Sequence, residues 1–212
     1  MENERVVLAI AKGRIMNDTL NALKNGGINI SSFSDKSREL IFDMENYRIL
    51  SCKPIDVPKY VEMGTADCGI VGSDCVTESK CDVYEPISLK FGKCKMVVAC
   101  KKDLELKYKQ GEEIKIATKF PNIAKKYFED RKMVPKIIYL NGSVELAPLV
   151  GLSEVIVDIT ESGETIKKNN LKVIETVMDI TAKVIFNKTS FCLLYTSPSP
   201  RDLSTSRMPS SA

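Results

Sequence analysis

The sequence predicts an α/β protein with largely parallel sheets covered by helices. Three observations point there. Short β-branched runs alternate along the chain with amphipathic segments of helical period. Glycines, hydroxyls and acidic residues sit at the junctions, where strands turn into helices. The composition, 43% hydrophobic and 28% charged over 212 residues, suits a globular chain large enough for one big domain or two lobes.

In order, 6–11 is an apolar strand, and the Lys12, Gly13, Arg14 turn leads into a helix to about Leu23, which Gly26 and Gly27 end. Residues 40–42 and 47–52 read as strands. Asp56 is placed to cap a short helix over 57–63, with Pro58 in its first turn. The compact apolar run 66–71 ends at Gly72, Ser73 and Asp74, where another helix can start. Residues 87–89 and 96–99 are strand runs around a Phe91 to Cys94 turn. Strand 114–118, helix 122–131 and strand 136–140 follow, and Asn141 to Ser143 lead into a helical 144–149. Strands at 171–176 and 182–186 close the pattern. No internal repeat is present.

The stretch around which the rest is organised is 155–165. Val155 to Val157 reads as a buried strand that Asp158 closes. Thr160, Glu161, Ser162, Gly163, Glu164 and Thr165 follow at once, ahead of a short helix over 166–170. A strand ending in hydroxyls and a glycine before a helix makes an anion cradle, because successive N–H groups and the helix dipole converge there. An ordinary capped strand–turn–helix has the same pattern. Parallel sheets gather ligands at the C-terminal ends of their strands. The other candidate groups lie at such ends too: 12–14, 53–56, 72–74 and 141–145.

Charge and composition exclude several classes. A net charge of +3, without a Lys/Arg block, gives no nucleic-acid footprint. No apolar run reaches the length of a membrane span, and the charged N-terminus has no secretory pattern, so a cytoplasmic location is expected. The seven cysteines form no C-x-x-C pair and read as reduced thiols, several of them small core residues. With no histidine at all, Ser-His or Cys-His nucleophiles and imidazole acid–base chemistry are unavailable. Catalysis must rest on carboxylates, Lys/Arg and backbone donors, with or without a bound metal.

Six segments in one order, 11–14 (AKGR), 56–58 (DVP), 60–72 (YVEMGTADCGIVG), 117–122 (ATKFPN), 140–148 (LNGSVELAP) and 151–165 (GLSEVIVDITESGET), resemble the ATP phosphoribosyltransferase family from about Val6 to Phe191. The resemblance implies a two-lobed fold like the type II periplasmic binding proteins, with the active site in the inter-lobe cleft. Residues 1–92 plus 180–191 would form one lobe, and 93–179 the other. It further implies the short form, without a ferredoxin-like regulatory domain. That form is a homo-oligomer (a dimer) that assembles with a histidyl-tRNA-synthetase-like subunit, so the chain alone is expected to be insensitive to histidine.

The implied reaction joins N1 of the adenine of ATP to C1 of 5-phosphoribosyl pyrophosphate and releases pyrophosphate, with Mg²⁺ carried mainly by the substrates. By resemblance, Asp158 would hold ribose hydroxyls and residues Thr160 to Thr165 the ribosyl 5′-phosphate. Lys12, Gly13, Arg14, Lys53 and Asp74 would face pyrophosphate or triphosphate. Glu145 is equally placed to face ribose or Mg²⁺ as a second catalytic carboxylate and to cap its own helix. Ser162 and Lys53 stand where the family often has Thr and Arg; each keeps the hydroxyl or the charge, and Lys53 loses bidentate geometry. Two alternatives stay open at this point: a non-catalytic two-lobed anion-binding protein, and a phosphoribosyltransferase acting on another base. The Ser/Thr/Pro-rich stretch 192–212 lacks a periodic apolar face and reads as a disordered or non-native tail whose removal should leave stability nearly unchanged.

Overall fold

In the computed structural model, the described residues are 5–30, 33, 39–104 and 109–196. They form two sheets. The first contains β1 (Val6–Ala11), β2 (Ile41–Asp43), β3 (Tyr47–Cys52), β4 (Cys68–Gly72), β5 (Tyr84–Ser88) and β11 (Ala182–Phe186), in the order β2-β3-β1-β4-β11-β5. The second contains β6 (Cys94–Lys101), β7 (Glu113–Thr118), β8 (Val134–Tyr139), β9 (Val155–Thr160) and β10 (Leu171–Ile180), in the order β10-β6-β9-β7-β8.

Strand periodicity splits each sheet's side chains into two cores. In β1, Leu8 and Ile10 pack with Met16, Leu23 and Ile49 on one face, while Ala9 and Ala11 pack with Val57, Val61 and Val71 on the other. In β6, Met96, Val98 and Cys100 join Phe128 and Ile116, while Val97 and Ala99 join Val144, Ile156 and Leu171. Both faces are covered, which is why these strands are apolar throughout rather than alternating with polar residues. The covering helices include α1 (Met16–Asn25), α2 (Val57–Glu62), α3 (Ser73–Ser79), α4 (Pro121–Glu129), α5 (Leu146–Leu149) and α6 (Glu164–Lys168).

Each sheet holds one parallel triple: β3-β1-β4 in the first and β9-β7-β8 in the second. The other pairings are antiparallel, so the sheets are mixed and not mostly parallel. The chain crosses between the sheets after β5 and returns after β10, setting reversed β6 beside one triple and reversed β11 beside the other, while β2 is reversed by its local pairing with β3. The two crossings are joined by Thr181, whose Oγ1 donates to the carbonyls of Leu89 at 2.7 Å and Phe91 at 3.2 Å.

Several local expectations change. Asp158 does not close its strand, because β9 runs on to Thr160 with Asp158 paired opposite Val97. Asp56 makes no side-chain cap; a 3-10 turn over Pro54–Asp56 leads straight into α2. The irregular tail expected from residue 192 does not begin there, since α7 spans Lys188–Thr196. Asn187 starts it, its Oδ1 accepting the N–H groups of Thr189 and Ser190 at 3.0 and 3.1 Å. The Phe191 ring packs 4.6 Å from Tyr84 and 5.2 Å from Phe186. The rest of that expectation, from 197 to 212, lies outside the described residues.

Candidate functional site

Because neighbours in a parallel triple run the same way, their C-terminal ends fall on one edge. From the first sheet that edge presents Lys12 to Arg14 after β1, Lys53 after β3, and Ser73 and Asp74 after β4. From the second it presents Lys119 after β7, Asn141 to Glu145 after β8, and Glu161 to Thr165 after β9. Two contacts join these edges across the gap. Arg14 Nη1 donates to Glu161 Oε1 at 3.2 Å, and also to the Gly92 carbonyl at 3.0 Å. On the other side, the Glu78 carboxylate of α3 accepts the backbone N–H groups of Asn122 and Ile123, at 2.9 and 3.0 Å, at the start of α4. An open cavity of about 340 Å³ lies in the same gap, lined by Ile55, Lys59 and Glu78 on one side and Lys119, Asn122 and Tyr139 on the other.

Two carboxylates are held unusually deep at this edge. Asp74 is only 5% exposed, in the first turn of α3. Its Oδ2 accepts a weak bond from the Cys75 thiol at 3.5 Å, and its buried Oδ1 has no hydrogen-bond partner among the described residues. Gly72 makes that placement possible, since a Cβ there would stand 2.2 Å from Asp74 Oδ1. Asp158 is half-buried, and its Oδ1 is likewise buried without a hydrogen bond. Burial pushes the Asp158 carboxyl above the usual carboxylate range; the Ile159 N–H and the Lys119 ammonium oppose this, and the nearby Glu145 charge adds to it. Lone buried acceptor oxygens are costly in a folded protein and are characteristic of places kept for a ligand.

The cradle itself is partly closed on its own groups. Gly163, at φ +75°, has the left-handed backbone that glycine tolerates best. Its N–H donates to Thr160 Oγ1 at 2.8 Å, and the Glu164 N–H donates to Ser162 Oγ at 3.3 Å. A phosphate entering here would take over donors now held by the loop's hydroxyls. Thr165 is exposed at the start of α6, and Lys12, Gly13, Arg14 and Lys53 border the same edge from the first sheet. Lys12 lies near Cys52 and there offsets the Asp56 charge. Burial nonetheless pushes the Cys52 thiol up to about 11, which leaves it protonated and inert at neutral pH. Glu145 precedes α5 and makes no side-chain cap to it, so of its two sequence readings the capping one is not adopted.

The sequence reading missed two residues here. Lys119 and Glu78 were assigned no role, although Lys119 stands at a strand's C-terminal end like the other candidates. Glu78 carries no such signal, because its partners are backbone groups 44 and 45 residues away. Among the described residues no three His, Cys, Asp or Glu side chains gather closely enough to hold a metal. The hard carboxylate oxygens of Asp158, Asp74 and Glu145 can each complete the shell of a divalent ion that arrives with phosphate ligands. Among the described residues no helix is long and apolar enough to cross a membrane.

Comparison with known proteins points to one family. The sequence profile of the family described as HisG, ATP phosphoribosyltransferase, matches residues 53–196. An ATP phosphoribosyltransferase of Clostridioides difficile is 47% identical over 192 residues, covering 90% of this chain and 91% of its own length. One from Campylobacter curvus is 47% identical over 188 residues, covering 89% and 90%. Among solved structures, the ATP phosphoribosyl transferase (HisG:HisZ) complex from Thermotoga maritima has a chain 35% identical, with a TM-score of 0.79 and 90% and 91% coverage. An arginine-bound binding protein from the same organism, 11% identical with a TM-score of 0.53 and 90% and 92% coverage, shares the fold alone.

Proposed function

This chain belongs to the ATP phosphoribosyltransferase family, and on that premise we propose how its own residues carry the reaction. The enzyme is a pentosyltransferase (EC 2.4.2.17) that joins N1 of the adenine of ATP to C1 of 5-phosphoribosyl pyrophosphate, the first step of histidine biosynthesis. The C1–O bond to pyrophosphate breaks as the N1–C1 bond forms. Neither a non-catalytic anion binder nor a transferase for another base fits relatives of this identity and coverage.

Adenine N1 is already a nucleophile, so the protein's task is to hold two polyanions in line and to support a ribosyl carbon that becomes cationic. Asp158 accepts from the ribose hydroxyls and faces that developing charge, with Glu145 beside it. Thr160, Glu161, Ser162, Gly163, Glu164 and Thr165 close around the ribosyl 5′-phosphate. Lys12, Gly13, Arg14, Lys53 and Asp74 line the path of the pyrophosphate and triphosphate. To take a phosphate, Arg14 exchanges its bond to Glu161 for one to substrate, which couples binding to the gap between the sheets. A divalent metal serves the reaction, and Mg²⁺ is the ion proposed; it would supply neutralisation of phosphate charge, and the carboxylates of Asp158, Asp74 and Glu145 are the groups that would help to hold it.

Segments 1–92 plus 180–191 and 93–179 act in this reading as two lobes about the cleft. The chain works in the cytoplasm as a homo-oligomer with a histidyl-tRNA-synthetase-like regulatory subunit, a proposal supported by its likeness to the HisG:HisZ complex. The observation that carries the site assignment is the pair of buried, unpartnered carboxylate oxygens, Asp74 Oδ1 and Asp158 Oδ1, at one edge of strand ends. The purified chain, given ATP, phosphoribosyl pyrophosphate and Mg²⁺, should release pyrophosphate and form a product of the phosphoribosyl-ATP mass. If folded Asp158→Asn and Asp74→Asn proteins both turn over at the wild-type rate, the site assignment is wrong.

A further inference from the structure

The opposite edge of the second sheet carries a cavity that the reaction does not use. β6 runs against β9, and β7 runs with it, so the last residue of β6, Lys101, lies beside the starts of the other two. The register sets both Cys100 and Ile116 opposite Val155, which puts Lys101, Glu154 and Lys115 in one row across three strands. Two backbone-anchored bonds hold that row. The Glu154 N–H donates to the Lys115 carbonyl at 3.0 Å, and the Lys115 N–H donates to Glu154 Oε2 at 2.8 Å. Two residues along each strand, Ala99, Ile156 and Ala117 pack with Ala147 of α5, so the row shares the face that α5 covers. A cavity of about 410 Å³ opens there, lined by all three residues together with Leu104, Pro148 and Ser153. It lies roughly 20 Å along β9 from Glu161, at about 3.3 Å per residue.

Two observations mark the cavity as a place for an anion. Opposite charges side by side on one sheet face ordinarily pair. Among the described residues neither Lys101 nor Lys115 makes an ion pair, and Glu154 turns one oxygen to the backbone instead. The next lysine in the row, Lys136 opposite Lys115, does find a carboxylate, Glu113 at 3.6 Å. The second observation is Ser153, which is 8% exposed and whose buried Oγ has no hydrogen-bond partner among the described residues. A buried hydroxyl left in that state is costly unless a ligand completes it.

We propose that this cavity is a second anion-binding site, remote from the cleft, for a small organic anion: one phosphate or carboxylate group on a compact apolar body. Lys101 and Lys115 supply the charge, the Ser153 hydroxyl donates to an anion oxygen, and Leu104 and Pro148 meet the apolar body. Two lysines against one glutamate favour a single anionic group over the polyphosphates that the cleft takes. The site does not depend on the roles assigned within the cleft.

Nitrogen-15 NMR of the labelled full chain reads the site through the amides of Lys115, Ser153 and Glu154. The probes are inorganic phosphate, phenyl phosphate and benzoate, each at constant ionic strength. Phenyl phosphate or benzoate should give saturable shifts at these amides, and the tighter of the two identifies the head group. Inorganic phosphate, without the apolar body, should bind more weakly. Lys101→Met combined with Lys115→Met should weaken binding at least about tenfold, and Ser153→Ala by a smaller factor. Lys12→Met, in the cleft, should leave this binding unchanged. Shifts that do not saturate, or binding that the paired lysine substitution leaves intact, overturn the proposal. Loss of the shifts in Lys12→Met would place the anion in the cleft and overturn it as well.

Discussion

Glu78→Ala offers the sharpest test of how the cleft is held together. Helix α4 opens at Phe120 without a side-chain cap of its own, and Glu78 supplies the cap from α3, against the other sheet. Glu78 is 5% exposed and Ile123 6%, so removing the carboxylate leaves the buried Ile123 N–H and the half-buried Asn122 N–H without their acceptor. Each unsatisfied buried donor costs about 1–3 kcal/mol, and loss of a cap about 0.5–2 kcal/mol. Relief of a buried charge offsets part of this, because burial pushes the Glu78 carboxyl above its usual range despite the bonds to Asn122 and Ile123. The net loss should be about 2–3 kcal/mol, or roughly 4–10 °C in Tm for a chain of this size. The raised folded value also fixes the sign of the pH effect. Stability from Glu78 is fully present below the ordinary glutamate value, about 4.3, and falls as pH rises through the raised folded value. Glu78→Gln keeps one acceptor and turns an amide N–H toward the other donor, so it too is less stable. Its deficit against wild type should be larger at pH 5 than at pH 7.5. Differential scanning calorimetry of the three proteins reads both effects. An unchanged Tm for Glu78→Ala, or a Glu78→Gln deficit that grows with pH, would refute the trans-cap.

Four further outcomes are expected. Asp158→Asn should lower kcat by ~10²-fold or more while ATP binding stays near normal, since its charge matters most as the ribosyl carbon becomes cationic. In wild type the rate should fall as pH drops through the raised Asp158 value, above the usual aspartate range. Gly163→Val should raise KM for phosphoribosyl pyrophosphate at least tenfold through strain at φ +75°, with Gly163→Asn milder; crowding is not the cause, because a Cβ there meets nothing within 4 Å. Phe191→Ala should cost about 1.5–2.5 kcal/mol, half a buried Phe→Ala loss, by emptying the place beside Tyr84 and Phe186; an unchanged denaturation midpoint would mean that α7 does not dock.

What the sequence determined by itself is local. The runs 6–11, 47–52 and 182–186 are strands with the expected bounds, because apolar and β-branched residues there suit a sheet with both faces covered. The strand–turn–helix of β9 and α6 was legible as well, since a β-branched run, hydroxyls, a glycine and a short helical segment follow one another there. So was the family, from motif strings that need no structure to be read. The tertiary structure decided what depends on contacts between distant segments. The reversed strands β6 and β11 beside the two triples arise from two chain crossings that no window of sequence reveals. Asp158 stays in β9 because Val97 of β6 pairs with it, overriding the end that a polar residue suggests locally. Residues from 192 to 196 continue a helix that Asn187 starts and Phe191 anchors, where composition alone suggested no order. Lys119 comes beside Asp158 only when β7 and β9 lie in register, and Glu78 reaches its partners only when α3 meets α4. Both are charges whose partners the fold supplies, and a side chain's charge carries no address in sequence.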